Sequence, residues 1–216
     1  MTIHAYDEIY LSSAQNTLGH AVDFAVMTLN LKPKQFELAL KVSASAKQFS
    51  IGNPRYVAGI NGCEFARCVL DDVQMPYTDA EDIMYLDKSP EYWAGWALAY
   101  YQWYSGYSLS DILYDVSLDD ILLMYPIYHE MDISQFTDRM QELMKQAHPH
   151  TMLRELRENA GISQAELAAE AGVPLRQIQL FEQKQRDINK TSALTLYKLS
   201  RALCCSMEDL LELHSS

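Results

Sequence analysis

SQAELAAEAGVPLRQIQLF, running from Ser163 to Phe181, reads as two short helices joined by a tight turn. Ser163 and Glu166 form an S-x-x-E capping box that opens the first helix. Leu167, Ala168 and Ala171 lie on one side of it. Gly172 follows, where a residue at positive φ stops the helix and turns the chain. Val173 is a small apolar plug under the turn. Ile178 and Phe181 give the second helix an inward face at i, i+3. Counted from Gln164, Ala168 is fifth, Gly172 ninth, Ile178 fifteenth and Phe181 eighteenth. The fifth must be small so that two helices cross closely, the ninth must permit the turn, and the last two must be apolar.

On either side the pattern continues. Leu153-Arg154-Glu155-Leu156-Arg157 reads as a preceding helix. Ala193 to Leu199 and Met207 to Leu211 read as two following ones. Five helices with this motif at their centre resemble the helix-turn-helix domain of the phage-repressor (Cro-like, xenobiotic-response-element) family. The resemblance implies that the second motif helix enters the major groove while the first crosses the DNA backbone. It places Leu175, Arg176, Gln177, Gln179 and Leu180 on the outward face. Arg176 is suited to guanine O6 and N7, Gln177 or Gln179 to adenine, and Leu175 to a thymine methyl. Gln164 is expected on a phosphate, as are Lys184, Arg186 and Lys190, which set position rather than sequence. Two departures stand out. Pro174 replaces the usual Ser or Thr cap, and Gln183-Lys184 replaces the common Asn-Gly after Glu182, so the loop there is expected to take its own path. Leu180 is unusual on a groove face and suits contact with a partner subunit. Family members bind paired half-sites as two-fold dimers, so a homodimer on a double-stranded operator is expected.

The chain is 216 residues long, 49% hydrophobic and 21% charged, enough for a sizeable core. No apolar run reaches membrane-spanning length, and the N-terminus lacks a basic-then-apolar leader pattern. Cys63, Cys68, Cys204 and Cys205 show no C-x-x-C spacing, so reduced, packed thiols in a cytoplasmic protein are expected. The formal net charge of −12 is uneven: residues 1–150 carry 9 basic and 20 acidic side chains, and residues 151–216 carry 8 and 9. A nucleic-acid reader is usually basic. Here the cations gather at Arg176, Lys184, Arg186 and Lys190, and the acidic front half should repel DNA.

That front half reads as helices throughout. Tyr6, Tyr10, Ala14, Leu18, Val22, Val26 and Leu29 recur at threes and fours and predict one helix over residues 3–30. Pro33 opens a second, with Phe36, Leu40 and Ala44 on one side, running to about Phe49. SIGNPRYVAGING, Ser50 to Gly62, is a predicted loop, with three glycines, one proline and two asparagines. Its spacing matches neither G-x-G-x-x-G nor a phosphate loop. A helix from Cys63 to Val73 follows. Thr78 to Asp87 reads as a solvated acidic loop. Asp79, Glu81, Asp82 and Asp87 lack the calcium-loop pattern. Short helices are expected over Ser110–Val116 and Leu118–Tyr125, the second stopped at Pro126. Asp132 caps a further helix with Ile133, Phe136, Met140, Leu143 and Met144 inward, ending near Ala147.

Between these lies the aromatic helix. Ser89-Pro90-Glu91 supplies a cap, an N1 proline and an acid at the positive dipole end. YWAGWALAYYQWY then holds all three tryptophans. Trp93, Trp96, Tyr100, Trp103 and Tyr107 step by 3, 4, 3, 4 and share one face, and Gly106 ends the helix. Gly95 and Ala99 let a second helix approach. The stripe is open to three readings: the core of the front domain, a protein-binding hot spot or an aromatic ligand pocket.

The fold class that follows is all-α, with an N-terminal helical bundle over residues 1–147, a linker at 148–150 around His148-Pro149, and a helix-turn-helix domain over 151–216. Asn53 through Phe65, EYWAGWALAYYQW and FEQKQRDINK together resemble helix-turn-helix proteins of bacterial toxin–antitoxin-type gene pairs, some with ADP-ribosyltransferase toxins. That resemblance implies a repressor whose front domain neutralises a toxin partner. The alternative is a small-molecule sensor. No Ser/His/Asp order, metal spacing or cofactor motif supports an enzyme, and Asp71-Asp72 and Asp119-Asp120 point about 100° apart on a helix.

Overall fold

A computed structural model describes residues 4–78, 80–82, 87–147 and 150–212. The chain is all-α, without a strand among the described residues. It divides into two compact units, Met1–Met144 and Lys145–Ser216. The division falls inside one helix, Ile133–Ala147, three residues before the predicted linker; His148 and Pro149 lie outside the described residues, as does Asp79. No described helix is long and apolar enough to cross a membrane.

Unit 1 begins with a 3₁₀ turn, Glu8–Tyr10, capped by Asp7, whose carboxylate accepts from the Ile9 amide at 3.0 Å. Helix α1 (Leu11–Asp23) runs on into a π turn at Phe24–Thr28, where the Leu29 amide bonds back to Phe24 O at 2.9 Å. The single helix predicted over 3–30 is therefore composite. Asn30, at φ 55°, ends it in the left-handed region that asparagine enters most readily.

The next predicted helix also breaks. Helices α2 (Pro33–Val42) and α3 (Ala44–Ser50) are separated by extended Ser43. Its Oγ accepts from the Ala46 amide at 3.2 Å while donating to Asp72 at 2.6 Å. A side chain that competes for backbone donors thus makes a cap where periodicity alone predicts continuity. The predicted Ser50–Gly62 loop contains one helical turn, α4 (Pro54–Val57), capped by Asn53. Asn61 caps α5 (Gly62–Asp72), which starts one residue earlier than expected.

Helix α6 (Pro90–Ser105) ends at left-handed Gly106, as the sequence predicts. Helices α7 (Leu109–Asp115) and α8 (Leu118–Tyr128) carry Ser-Asp capping boxes. Helix α8 runs through Pro126 instead of stopping before it. Pro126 is exposed and only two helical residues follow it, so the bond that it forgoes, to Leu122 O, is the cost of a single rung near the helix end. Asp132 caps α9 (Ile133–Ala147) by accepting from Ser134 N at 2.9 Å.

Helix α6 is the axle of unit 1. It packs chiefly on α1, which also packs on α5. The α1–α6 crossing is so close that a Cβ on Gly95 would sit 2.4 Å from Leu18 O, and one on Gly19 would sit 2.8 Å from the Tyr92 ring. Ala94, Ala97, Leu98 and Tyr101 are buried on α6, against a core that includes Phe24, Phe36, Phe49, Phe65 and Phe136. Polar ties fix the helix ends. Ser89 Oγ donates to Asp23, and Glu37 accepts from the Leu118 amide at 2.9 Å and pairs with Lys41. All four cysteines are free. Cys63 is buried, but Cys204 is exposed, contrary to the expectation of packed thiols throughout.

Candidate nucleic-acid interface

Unit 2 is built round its turn. Helices α10 (Met152–Asn159), α11 (Gln164–Ala171), α12 (Leu175–Glu182) and α13 (Ala193–Ala202) enclose Leu153, Leu167, Val173, Ile178, Phe181, Ile188, Leu199 and Leu210. The fifth predicted helix is only a 3₁₀ turn, Glu208–Leu210, because one buried side chain, Leu210, is all that it contributes to the core.

The capping box is formed in both directions. Glu166 N donates to Ser163 Oγ at 3.2 Å and Ser163 N donates to Glu166 Oε2 at 2.7 Å. Those bonds hold the Glu166 carboxyl below its ordinary range. Gly172 takes φ 59°, ψ 40°, and Val173 is buried beneath it. Pro174 provides no side-chain cap, but its carbonyl accepts from Gln177 N at 2.8 Å.

One side of α12 is thereby fixed and the other left open. Ile178 is fully buried and Phe181 nearly so, whereas Leu175 and Arg176 are exposed. Arg176 meets no protein partner among the described residues. Gln177 is half-buried, its amide 3.4 Å from Thr191 Oγ1, and Gln179 and Leu180 are half-buried beside it. Leu180 is also occupied through its backbone: its carbonyl accepts from Gln185 N and Arg186 N.

The far end of α12 is held by a buried ion pair that periodicity does not reveal. Arg157 Nε and Nη2 grip Glu182 at 2.7 and 2.9 Å, and Arg157 Nη1 donates to Ile162 O at 2.9 Å. The Glu182 side chain is only 3% exposed. Hydrogen bonding to Glu182, partly opposed by burial, raises the Arg157 pKa further. Gln164 joins the same carboxylate, donating at 2.8 Å. The residue expected on a phosphate is therefore oriented by the end of α12. A long-range Arg–Glu–Gln triad carries no local sequence signature; only the matching charges at positions 157 and 182 hint at it.

After α12 the chain turns through Lys184 at φ 55°, with its amide bonded to Phe181 O at 2.9 Å. A left-handed lysine thus does what glycine does more cheaply. Arg186 stacks its guanidinium 5.8 Å above the Phe181 ring. Lys190 is 84% exposed and pairs with Asp187 at 3.1 Å. These three cations line one shallow pocket of about 280 Å³. Glu212 braces the loop: it accepts from Met152 N at 2.6 Å, and its backbone exchanges two hydrogen bonds with Asn189. Burial pushes the Glu212 carboxyl above its ordinary range.

In unit 1 the five-residue aromatic stripe is divided. Trp103 is 5% exposed, stacks on His4 at 3.8 Å, and donates its indole N–H to Tyr6 O at 2.9 Å. It belongs to the core. Tyr107 is half-buried, and its carbonyl accepts from Gln102. Tyr100 is half-buried between Trp103 and Tyr104; burial is the main cause of its raised pKa. Trp93 and Trp96 face elsewhere, into a groove of about 540 Å³ whose opposite wall is Tyr125, Tyr128 and His129 from the end of α8. Those partners come from a segment that the sequence alone does not bring to α6.

Residues 153–210 match the Helix-turn-helix family. No curated protein and no solved structure matches the chain. With the turn, the caps and the open face of α12 in place, unit 2 is a DNA-binding helix-turn-helix domain, and the chain is a sequence-specific DNA-binding transcription regulator.

Proposed function

We propose that this regulator is a cytoplasmic repressor that binds a two-fold operator as a homodimer. Leu175, Arg176, Gln177 and Gln179 read base edges, and Gln164, Lys184, Arg186 and Lys190 hold phosphates. The observation that carries this reading is the asymmetry of α12. Its inner face and its end are locked by Ile178, Phe181 and the Arg157–Glu182 pair, while Leu175 and Arg176 stand in solvent. A side chain pre-placed on a fixed helix reads a base without first ordering its backbone.

For unit 1 the first reading is an antitoxin-like partner module. The net charge of −11 over residues 1–150 suits a basic protein, and the protein's own promoter would be the operator. The second reading is a small-molecule sensor, favoured by the groove that Trp93 and Trp96 share with Tyr125 and Tyr128.

The test is fluorescence anisotropy on the chain's own upstream DNA against scrambled DNA across a salt series. Operator binding should be weakened by about 1–3 kcal/mol in Arg176→Ala, with relaxed preference at one base pair. Equal affinity for both DNAs, unchanged by Arg176→Ala, refutes the assignment of α12 as the reader. Co-expression with the neighbouring gene product then tests the partner module by the size of the purified species.

A further inference from the structure

The groove on unit 1 is unusual in what its walls offer. Its volume of about 540 Å³ lies within the range of small-ligand sites. Trp93 is held by edge contacts to Tyr125 at 5.6 Å and Phe136 at 5.4 Å, so one wall is fixed before any ligand arrives. Neither Trp93 nor Trp96 has a hydrogen-bond partner for its indole N–H among the described residues, and neither N–H is a fully buried, unmatched group. Trp103, on the same helix, does have one, in Tyr6 O.

The mouth of the groove carries a cation. Lys88 Nζ lies 4.3 Å above the Tyr92 ring centroid and 3.2 Å from His20 Nε2. No carboxylate pairs with it among the described residues. Burial, then the neighbouring Lys88 charge, lower the His20 pKa against a smaller opposing effect of Asp23. A neutral His20 can therefore accept from Lys88 and hold it in place. One acid also lines the groove: Asp132 caps α9 by accepting from Ser134 N at 2.9 Å through Oδ1, so an anionic ligand has to sit at the Lys88 end, away from it. His129 stacks on Tyr125 with its Nδ1 2.8 Å from the Tyr125 carbonyl. The Lys88 ammonium and the two indole N–H groups are thus donors set beside flat aromatic walls.

We propose that this groove binds a planar aromatic carboxylate, its ring against Trp93, Trp96 and Tyr125 and its carboxylate on Lys88. This deepens the sensor reading of unit 1, on which it rests, and names the ligand class. A cationic ligand is the opposite case, since aromatic walls also attract ammonium groups. It would have to accept Lys88 as a like-charged neighbour.

The experiment is isothermal titration calorimetry of the full chain with three probes of one shape: 2-naphthoate, neutral 2-naphthamide and cationic 2-naphthylmethylammonium. Naphthoate should bind at least tenfold more tightly than either of the others. Lys88→Gln should remove most of that preference and leave naphthamide binding unchanged. Trp96→Leu should weaken all binding, with unaltered helical circular dichroism as the folding control. Tighter binding of the ammonium, or no naphthoate binding at all, overturns the proposal. Anisotropy on operator DNA with and without naphthoate separates the two ideas. Binding that leaves DNA affinity unchanged keeps the site and ends the sensor reading.

Discussion

Replacing Arg157 by Met should cost unit 2 most of its stability. The substitution keeps the aliphatic stem and removes the cation that grips Glu182, whose side chain is 3% exposed and is otherwise met, among the described residues, by the Gln164 amide. Breaking one side of a buried pair costs about 3–5 kcal/mol. A domain this small has about 3–10 kcal/mol in total, at ~0.05–0.15 kcal/mol per residue. Arg157→Met should therefore bring unit 2 near its unfolding midpoint. Glu182→Leu should cost less, about 2–3 kcal/mol, because Arg157 still has Glu158 at 3.5 Å and Ile162 O at 2.9 Å. The double variant Arg157→Met, Glu182→Leu removes both charges and should return to within about 1–2 kcal/mol of wild type. The assay is urea unfolding followed at once by circular dichroism and tryptophan emission. All three tryptophans lie in residues 93–103, so emission reports unit 1 alone and serves as the internal control. The cycle should give a coupling energy of at least about 2 kcal/mol. A double variant as unstable as Arg157→Met would refute the reasoning, because the loss would then come from packing of the stem and not from a stranded charge.

Three further outcomes follow from the geometry. Gly95→Ala places a Cβ 2.4 Å from Leu18 O, a backbone atom that cannot swing aside, so unit 1 should lose about 3 kcal/mol or more in tryptophan-monitored unfolding. Burial pushes the Asp72 carboxyl up, but hydrogen bonds from Ser43 and Ser45 together outweigh it and hold the group below its ordinary range. Its stabilisation is present above the unfolded pKa and lost as pH falls through the lower folded value. Asp72→Asn should thus cost about 1 kcal/mol at pH 7, a figure reduced for solvent screening, and the two proteins should converge well below pH 4 in pH-dependent melting. Lys190→Ala should weaken operator and scrambled DNA alike and make the salt dependence shallower, by about 0.9 in slope for each phosphate that is no longer neutralised.

How much of this is legible in the chain depends on the range of the interaction. Ser163, Glu166 and Gly172 act within one turn of themselves, so the capping box and the left-handed stop are visible in the letters around them. The same holds for Ser89 and Asp132. Periodicity, in contrast, cannot see that Ser43 has Asp72 to bond with, so it runs α2 into α3. Nor can it tell that Pro126 falls in a last, exposed turn. The aromatic stripe shows the limit most clearly. Trp93 and Trp103 occupy equivalent places in the 3, 4, 3, 4 pattern, yet one lines a groove and the other is core. The difference is made by what lies opposite: Tyr125 and Phe136 for the first, His4 and Tyr6 for the second. The Arg157–Glu182 pair is invisible for the same reason, since 25 residues separate its members.

The charge pattern then sets how the reader must work. Residues 151–216 have a net charge of −1 and residues 1–150 one of −11, so neither part supplies the broad basic surface on which non-specific binding rests. With Lys184, Arg186 and Lys190 as the phosphate cations, one protomer releases about three counterions and a dimer about six, giving salt slopes of about −3 and −5 respectively. The slope therefore counts subunits on the operator. The same weakness would raise the share of affinity that base contacts must supply, the role proposed for Arg176, which stands exposed on a helix held rigid from behind. On the proposed reading, selectivity would rest on α12, and the Arg157–Glu182–Gln164 triad would keep α12 in register with the phosphate assigned to Gln164.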